Sequence, residues 1–382
     1  MQANRSLGPA FFRMPPGGGA KRPKTRTRLP AKAIWAILVV SQMGHTLQGA
    51  GDDVTPSETR SLLERCLQSQ QRTDRISVQG TTEIKSTEIT PGEATPADRS
   101  SRLEFSMRRD GKLWDISGLR LVPPKEGRNL SRRFRIVAGN EIIVLYSKPI
   151  PLERIRGGIV HIKDAETKRM GLFDVADYSL PLDGYFPGTD GNRLASLLLG
   201  VDNAKAGARE EIDGVPCVPI RGVTKYGTIT MWIATSAPFT VVKASLEKKG
   251  GDLSSHGVRL SDPATGSQRT MTHWSIVLDK VTVSELGKQK QRVAVSGRLT
   301  DTYRLSDGTH VTSVYTFKRT EVTLQPDFKG TDAFQIDLPD GARVTNMDDP
   351  ESGVEYQWRQ GKVVPVPGGS SGGEGAKKAT KK

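Results

Sequence analysis

Residues 225–246 read KYGTITMWIATSAPFTVVKASL, two alternating runs joined by a turn at residues 236–238. Alternation with a period of two predicts a pair of antiparallel strands, because successive side chains of a strand point to opposite faces. The pattern places an apolar wall on one face, formed by Ile229, Met231, Ile233, Val242 and Leu246. Two interpretations follow: the wall closes a solid core, or it lines a trough that holds an apolar molecule.

The same alternation extends over most of the chain. It predicts a strand at residues 76–89, hairpins at 101–122 and 131–148, and a series of strands from 208 to 324. Asp-Gly pairs at 110–111, 213–214 and 307–308 mark turns. Helical spacing of Leu62, Leu63, Cys66 and Leu67 predicts a helix from about Pro56 to Arg72, capped by Thr55 or Ser57. A second, short helix is expected in GYFPGTDGNRLASLLLG (184–200), capped near Asn192 and ended by Gly200. The fold class is therefore α+β, with about eleven or twelve antiparallel strands.

The net charge of +14 is concentrated at the two ends of the chain. Residues 1–51 hold eight basic residues and no acid, and residues 368–382 hold four lysines and one glutamate. The segment between them is close to neutral, whereas a nucleic-acid-binding domain carries its basic patch on the folded surface. We therefore expect no nucleic-acid partner. The 40 glycines and 23 prolines suit a turn-rich β protein.

The N-terminal segment has the order of an export signal. A long basic region is followed by an apolar run from Ala33 to Val40 and by small residues at 49–51, which would leave Asp52 as the mature end. A disordered basic arm with a short buried helix is the alternative interpretation, and Met14 is an alternative start. The apolar run is shorter than the ~20 residues that span a bilayer. We predict an exported, periplasmic or envelope-associated domain over 52–367, without a transmembrane span, and a flexible Gly/Ser/Lys tail over 368–382.

Cys66 and Cys217 are the two cysteines of the chain. An exported protein permits a disulfide between them. The alternative is that each is a small buried apolar residue, since Cys66 belongs to the predicted helical stripe and Cys217 lies in a strand-like segment.

No catalytic or metal-binding pattern is visible in the sequence. The histidines at 45, 161, 256, 273 and 310 are isolated from one another and from acidic clusters at metal-ligand spacing. Nucleophile elbows, phosphate-binding loops and dinucleotide fingerprints are absent from the sequence. We expect no enzyme activity, no cofactor and no metal. A hydrolase with dispersed catalytic residues remains a third hypothesis.

The order of elements resembles that of the LolA/LolB-like periplasmic carriers and their RseB-related sensor relatives. The matching stretches are IDGVPCVPIRG (212–222), KYGTITMWIATSAPFTVVKASLEKKGG (225–251), FQIDLPDGARVTN (334–346) and SGVEYQWRQGKVVP (352–365). The resemblance covers most of residues 56–365. It implies an open half-barrel, a strongly curved antiparallel sheet whose concave face is covered by the two helices. Residues from about 270 have no obvious counterpart and form a possible C-terminal extension.

The resemblance implies a non-enzymatic exported binding protein. Its ligand would be a lipid or a lipoprotein acyl chain, held in a cavity of the curved sheet. The candidate lining residues are Ile229, Met231, Ile233, Val242 and Leu246 on one wall and Leu103, Phe105 and Met107 on another, with Leu62, Leu63 and Leu67 of the first helix as a lid over the second wall. The alternative is an envelope protein-protein interaction or sensor module with the same fold and a filled core.

Overall fold

The computed structural model describes residues 54–123, 131–139, 142–149, 156–161, 175–255, 258–260, 270–286, 291–335, 340–346 and 354–370. The predicted export signal (1–51) lies outside these ranges, as does the tail beyond Ser370. The described residues are predominantly strand. Two α-helices are found in them, α1 (Pro56–Gln71) and α2 (Leu194–Leu199), with short 3₁₀ turns at Arg72–Asp74, Val175–Tyr178 and Leu180–Asp183.

The strands fall into three runs along the chain. The first comprises β1 (Arg75–Ile89), β2 (Ala97–Asp110), β3 (Leu113–Leu121), β4 (Arg132–Ala138), β5 (Ile142–Pro149) and β6 (Arg156–His161). The second comprises β7 (Lys205–Ala206), β8 (Glu210–Ile212), β9 (Val215–Thr224), β10 (Gly227–Ala234), β11 (Val241–Lys249), β12 (Leu253–Ser255) and β13 (Val258–Arg259). The third comprises β14 (Met271–Leu286), β15 (Gln291–Leu305), β16 (His310–Leu324), β17 (Arg343–Asn346), β18 (Val354–Arg359) and β19 (Lys362–Ser370).

Twelve strands form one continuous antiparallel sheet. Their spatial order is β9, β10, β11, β14, β15, β16, β1, β2, β3, β4, β5, β6. Short β7 and β8 extend it beside β9, and β17 to β19 continue it beyond β6, through a parallel β6–β17 pair. Within the described ranges the two ends of the sheet do not pair with each other. The predicted open α+β sheet is therefore confirmed.

The centre of the sheet is built from distant parts of the chain. Strand β1 pairs with β16 over fourteen residue pairs, from Ile76 opposite Leu324 to Ile89 opposite His310. Strands β14 to β16 consequently lie between β11 and β1 in the same sheet. Residues from 271 to 324 are thus interior strands of the sheet, in the part of the chain for which the sequence suggested an extension.

Asp-Gly and Ser-Ala-Pro segments form the predicted hairpin turns. Gly111 links β2 to β3 with φ of +57°, a value that glycine adopts without strain. Asp213 and Gly214 link β8 to β9, both with positive φ, as expected for a tight primed turn. The segment at 235–240 links β10 to β11, as its sequence predicts.

Helix α1 begins with a capping box. The Thr55 hydroxyl accepts a hydrogen bond from the Glu58 backbone N–H, and the Glu58 carboxylate accepts one from the Thr55 backbone N–H. Thr55, rather than Ser57, is therefore the cap. Leu63 and Cys66 are the fully buried members of the predicted stripe, while Leu62 and Leu67 pack at its edge. In α2, Arg193 stands at the cap position without a side-chain cap, so the predicted cap near Asn192 is displaced by one residue.

Candidate functional site

The predicted trough wall is packed as core. Ile229, Met231, Ile233 and Leu246 have no exposed surface, and they share one apolar cluster with Leu63 of α1. Leu62 and Leu67 pack against the same cluster. Other members come from α2, from β9, from β14 to β16 and from the mid-chain segment, residues 175–193. These seven predicted residues are brought together, but helix and sheet side chains occupy the space between them.

The second predicted wall belongs to a separate cluster. Leu103, Phe105 and Met107 are buried there together with Ile76, Val78, Trp114 and Ile116. The side chains that cover this wall come from the mid-chain segment, through Tyr178, Leu180 and Tyr185. The prediction that the stripe of α1 covers this wall is therefore wrong. Alternation fixes which face of a strand is apolar, whereas the position of a helix depends on the tertiary arrangement.

Val242 is separated from the other predicted lining residues by a β-bulge. Between β10 and β11, Trp232 stands opposite Lys243 and Ile233 opposite Val241, so Val242 is the extra residue of β11. Val241 thus takes the place beside Ile233 that the sequence assigned to Val242. Val242 packs instead in a small cluster with Cys217 and Ala234.

Cys66 and Cys217 are free thiols in the structure. They belong to different clusters, Cys66 on the buried face of α1 and Cys217 beside Val242. The Cys217 thiol donates a hydrogen bond to the Val215 carbonyl oxygen at 3.1 Å. Burial raises the pKa of the Cys66 thiol to about 12, so this sulfur is a poor nucleophile. The disulfide suggested by the sequence is not formed.

An open cleft lies where the ladder between β11 and β14 is interrupted. The described pairs of these two strands end at Ala244 opposite Leu278, although β11 extends to Val241 and β14 to Leu286. The register of β14 against β15 shifts between Asp279 and Thr282, and Lys280 adopts φ of +52°. These irregularities bend β14 where its pairing with β11 ends.

The cleft has a volume of about 540 Å³, within the range of ligand-binding pockets. Seven of its thirteen lining residues are apolar, from β8, β9, β10, the β10–β11 turn, β11 and β14; they are Ile212, Val215, Ala234, Pro238, Val242, Val281 and Val283. The uncharged polar members are Ser236, Thr240 and Thr282. The charged members are Asp213, Lys280 and Arg292. Of the predicted lining residues, Val242 alone borders this cleft.

A second cleft, of about 640 Å³, lies along β1, β2 and β3. Serines and charged side chains make up much of its lining, including Ser100, Ser101, Glu83, Lys85 and Arg102. Its apolar lining residues are Ile84, Leu121, Val122 and Pro123. Four of the ten lining residues of this cleft are apolar, against seven of thirteen in the cleft beside Val242.

The cleft between β11 and β14 was not predicted, but the sequence contains a signal for it. Along β14, buried side chains stand at even positions through Trp274, Ile276 and Leu278, and the apolar residues then move to odd positions at Val281 and Val283. A change of phase within an alternating strand marks a bulge, because a strand without one keeps its apolar residues on one face.

Lys248 forms an unexpected buried charge site. It is the inward-facing residue of β11 after Leu246, and its ammonium donates to the carbonyl oxygens of Gly188 (2.5 Å), Leu253 (2.6 Å) and Ser254 (3.2 Å). The rings of Tyr226 and Trp274 lie about 5 Å from the same nitrogen, at 5.3 and 5.0 Å. Burial lowers the pKa of Lys248 to about 7, against the opposing effect of Asp190, Asp252 and Asp301. All these contacts lie inside the protein, so Lys248 joins β11 to Gly188 and to β12 and has a structural role.

The described ranges contain no group of three or more His, Cys, Asp or Glu residues that could hold a metal ion. No described helix is long and apolar enough to cross a membrane. The pair formed by His273 and Glu247, 3.5 Å apart, is about half exposed and lies outside both clefts.

No protein-family model and no curated protein matches the chain. Among solved structures, it is similar to a DUF1329 family protein from Desulfovibrio piger, at 11% identity over 72% of this chain and 96% of the other, with a TM-score of 0.34. It is also similar to a LolA superfamily protein from Nitrosomonas europaea, at 12% identity over 74% of this chain and 94% of the other, with a TM-score of 0.29. The latter comes from the group that the order of elements resembles. Identities and scores this low assign no activity to the chain.

Proposed function

We propose that this chain is an exported, non-enzymatic binding protein for an acyl chain, and that the ligand occupies the cleft between β11 and β14. The cleft carries the proposal because it combines seven apolar lining residues with a volume of about 540 Å³. Each methylene group transferred from water to such a lining contributes about 0.8 kcal/mol. The basic and apolar order of residues 1–51 supports export.

This proposal moves the ligand from the trough to the cleft. The trough residues Ile229, Met231 and Leu246 have no exposed surface, so a ligand there would have to displace α1 from the core. The cleft is open without such a movement, and Val242 and Val283 border it from the two separated strands.

Binding of a fluorescent fatty acid to the purified protein tests the proposal. We expect saturable binding, and we expect Val283→Glu to weaken it about tenfold or more, because the new carboxylate would lie among apolar lining residues. Val277→Glu is the matched control, since Val277 is a half-buried residue of the same strand outside the cleft. Absence of saturable binding, or equal loss in both variants, would refute the proposal.

A second candidate function is an envelope interaction module. One observation that favours it is that core side chains fill the predicted trough. The other is that the pairing of β11 with β14 stops at the cleft, which leaves edges of these strands facing it. An extended peptide could pair with such an edge. Crosslinking from residues at the cleft rim distinguishes the two functions: a stoichiometric protein adduct that fatty acid does not compete away favours the module.

A further inference from the structure

Two cations stand at the cleft on neighbouring strands. Lys280 belongs to β14 and Arg292 to β15, both side chains are exposed, and both line the cleft. Within the described residues, Lys280 makes no ion pair, and the side chain of Arg292 makes a single hydrogen bond, from Nη1 to the Ala237 carbonyl oxygen at 3.3 Å. Asp213, the one carboxylate among the described lining residues, belongs to the β8–β9 turn.

The backbone sets the position of both cations. Lys280 has a left-handed φ of +52°, uncommon for a residue with a side chain, and it lies within the register shift of β14 between Asp279 and Thr282. In a regular strand, residue 280 would continue the buried even-numbered series of Ile276 and Leu278. The bulge instead leaves Lys280 exposed beside the valines of the lining. The hydrogen bond to Ala237 holds Arg292 against the β10–β11 turn, at another side of the same cleft.

We propose that the ligand of this cleft carries an anionic end group, held by Lys280 and Arg292, with its apolar chain against Val242, Val281 and Val283. This inference rests on the proposed function and narrows it to anionic amphiphiles. The guanidinium of Arg292 can donate to two oxygens of a carboxylate or phosphate at once, and the ammonium of Lys280 adds a second positive charge. A fatty acid and a phospholipid headgroup share this chemistry.

The test compares head groups on one chain. Hexadecanoate, hexadecyl phosphate and methyl hexadecanoate are each used to displace a neutral environment-sensitive fluorophore from the purified protein at low salt. We expect the two anions to bind about tenfold more tightly than the neutral ester, and the difference to shrink as salt screens the charges. Preference for hexadecanoate indicates a fatty acid, preference for hexadecyl phosphate indicates a phospholipid-type headgroup, and both support the inference.

Charge-removing variants complete the test. Lys280→Gln and Arg292→Gln should each weaken binding of the anions about threefold, and the double variant about tenfold, with binding of the ester unchanged. Lys318→Gln is the matched control, because Lys318 is an exposed lysine of β16 outside the cleft. An ester that binds as tightly as hexadecanoate, or a double variant that keeps the preference, overturns the inference while acyl binding stands. Failure of all three compounds to bind refutes the proposed function itself.

Discussion

Arg319 and Asp183 form a buried ion pair between the sheet and the mid-chain segment. The guanidinium donates to both carboxylate oxygens, at 3.1 and 2.7 Å, and the side chains are 0% and 3% exposed. The same guanidinium donates to the Ser179 hydroxyl and carbonyl oxygens, both at 3.0 Å. This pair attaches the segment that covers the second apolar cluster to strand β16, near the centre of the sheet.

Loss of the Asp183 charge should therefore be costly. We expect Asp183→Asn to lower the free energy of unfolding by about 3–5 kcal/mol, because the Arg319 charge would stay buried without a counter-ion. The control is Asp279→Asn, since Asp279 also accepts two hydrogen bonds from one arginine, Arg298. In this pair the side chains are partly exposed, Arg298 by 38% and Asp279 by 28%. That change should cost about 1 kcal/mol or less in urea unfolding. Equal losses would contradict this account.

The buried Lys248 should make stability depend on pH. Its folded pKa of about 7 lies below the ordinary value of 10.5, so between these values the unfolded chain binds more protons than the folded one. The contribution of Lys248 to stability should be lowest below pH 7 and should rise from pH 7 towards 10.5. We expect Lys248→Met to remove this rise from unfolding curves measured between pH 6 and 10.

Lys249→Met provides the control for this pH profile, because Lys249 is the next residue of β11 and is exposed. Its profile should run parallel to that of the unaltered protein. Parallel profiles for all three proteins would mean that Lys248 keeps its proton over the whole range, and the prediction would be wrong. Comparing slopes keeps the result separate from the loss of the three carbonyl hydrogen bonds, which lowers stability at every pH.

A filled trough predicts a large cost for truncating α1 side chains. Leu63 is 1% exposed within the main cluster, so Leu63→Ala should lower the free energy of unfolding by about 2–5 kcal/mol. Leu62→Ala removes the same atoms from a half-buried position of the same helix and should cost clearly less. If both changes are nearly neutral, α1 is a loosely held cover and the trough must be reconsidered as a ligand site.

Both cysteines should be recovered as free thiols. Their places in separate clusters predict two alkylated residues when the native protein is denatured without reductant and treated with iodoacetamide. In the folded protein the Cys66 thiol should react slowly, because it is fully buried and its pKa is raised. A mass that lacks two alkyl groups until reductant is added would show that the bridge forms.

Part of the fold could be predicted from the sequence because short-range patterns encode it. The period of two in KYGTITMWIA, the turn at residues 236–238 and the stripe of Leu63 and Cys66 each depend on residues close in the chain. They predicted the hairpins, helix α1 and the α+β class correctly. The Thr55 cap and the Asp213-Gly214 turn could also be predicted from the sequence, since they depend on hydrogen bonds and φ angles of residues close in the chain.

The tertiary structure alone decided how these elements fit together. Alternation places Met231 and Leu103 on apolar faces, but it cannot say that different segments cover them, since contacts between distant residues depend on the whole chain. Pairing of β1 with β16 likewise joins residues more than 200 positions apart. The cleft is open because bulges shift the register of β10–β11 and β14–β15 at the point where β11 and β14 separate. A bulge depends on the pairing of two strands and not on the sequence of one strand alone. The positions of Lys280 and Val242 at the cleft are therefore set by the assembled sheet.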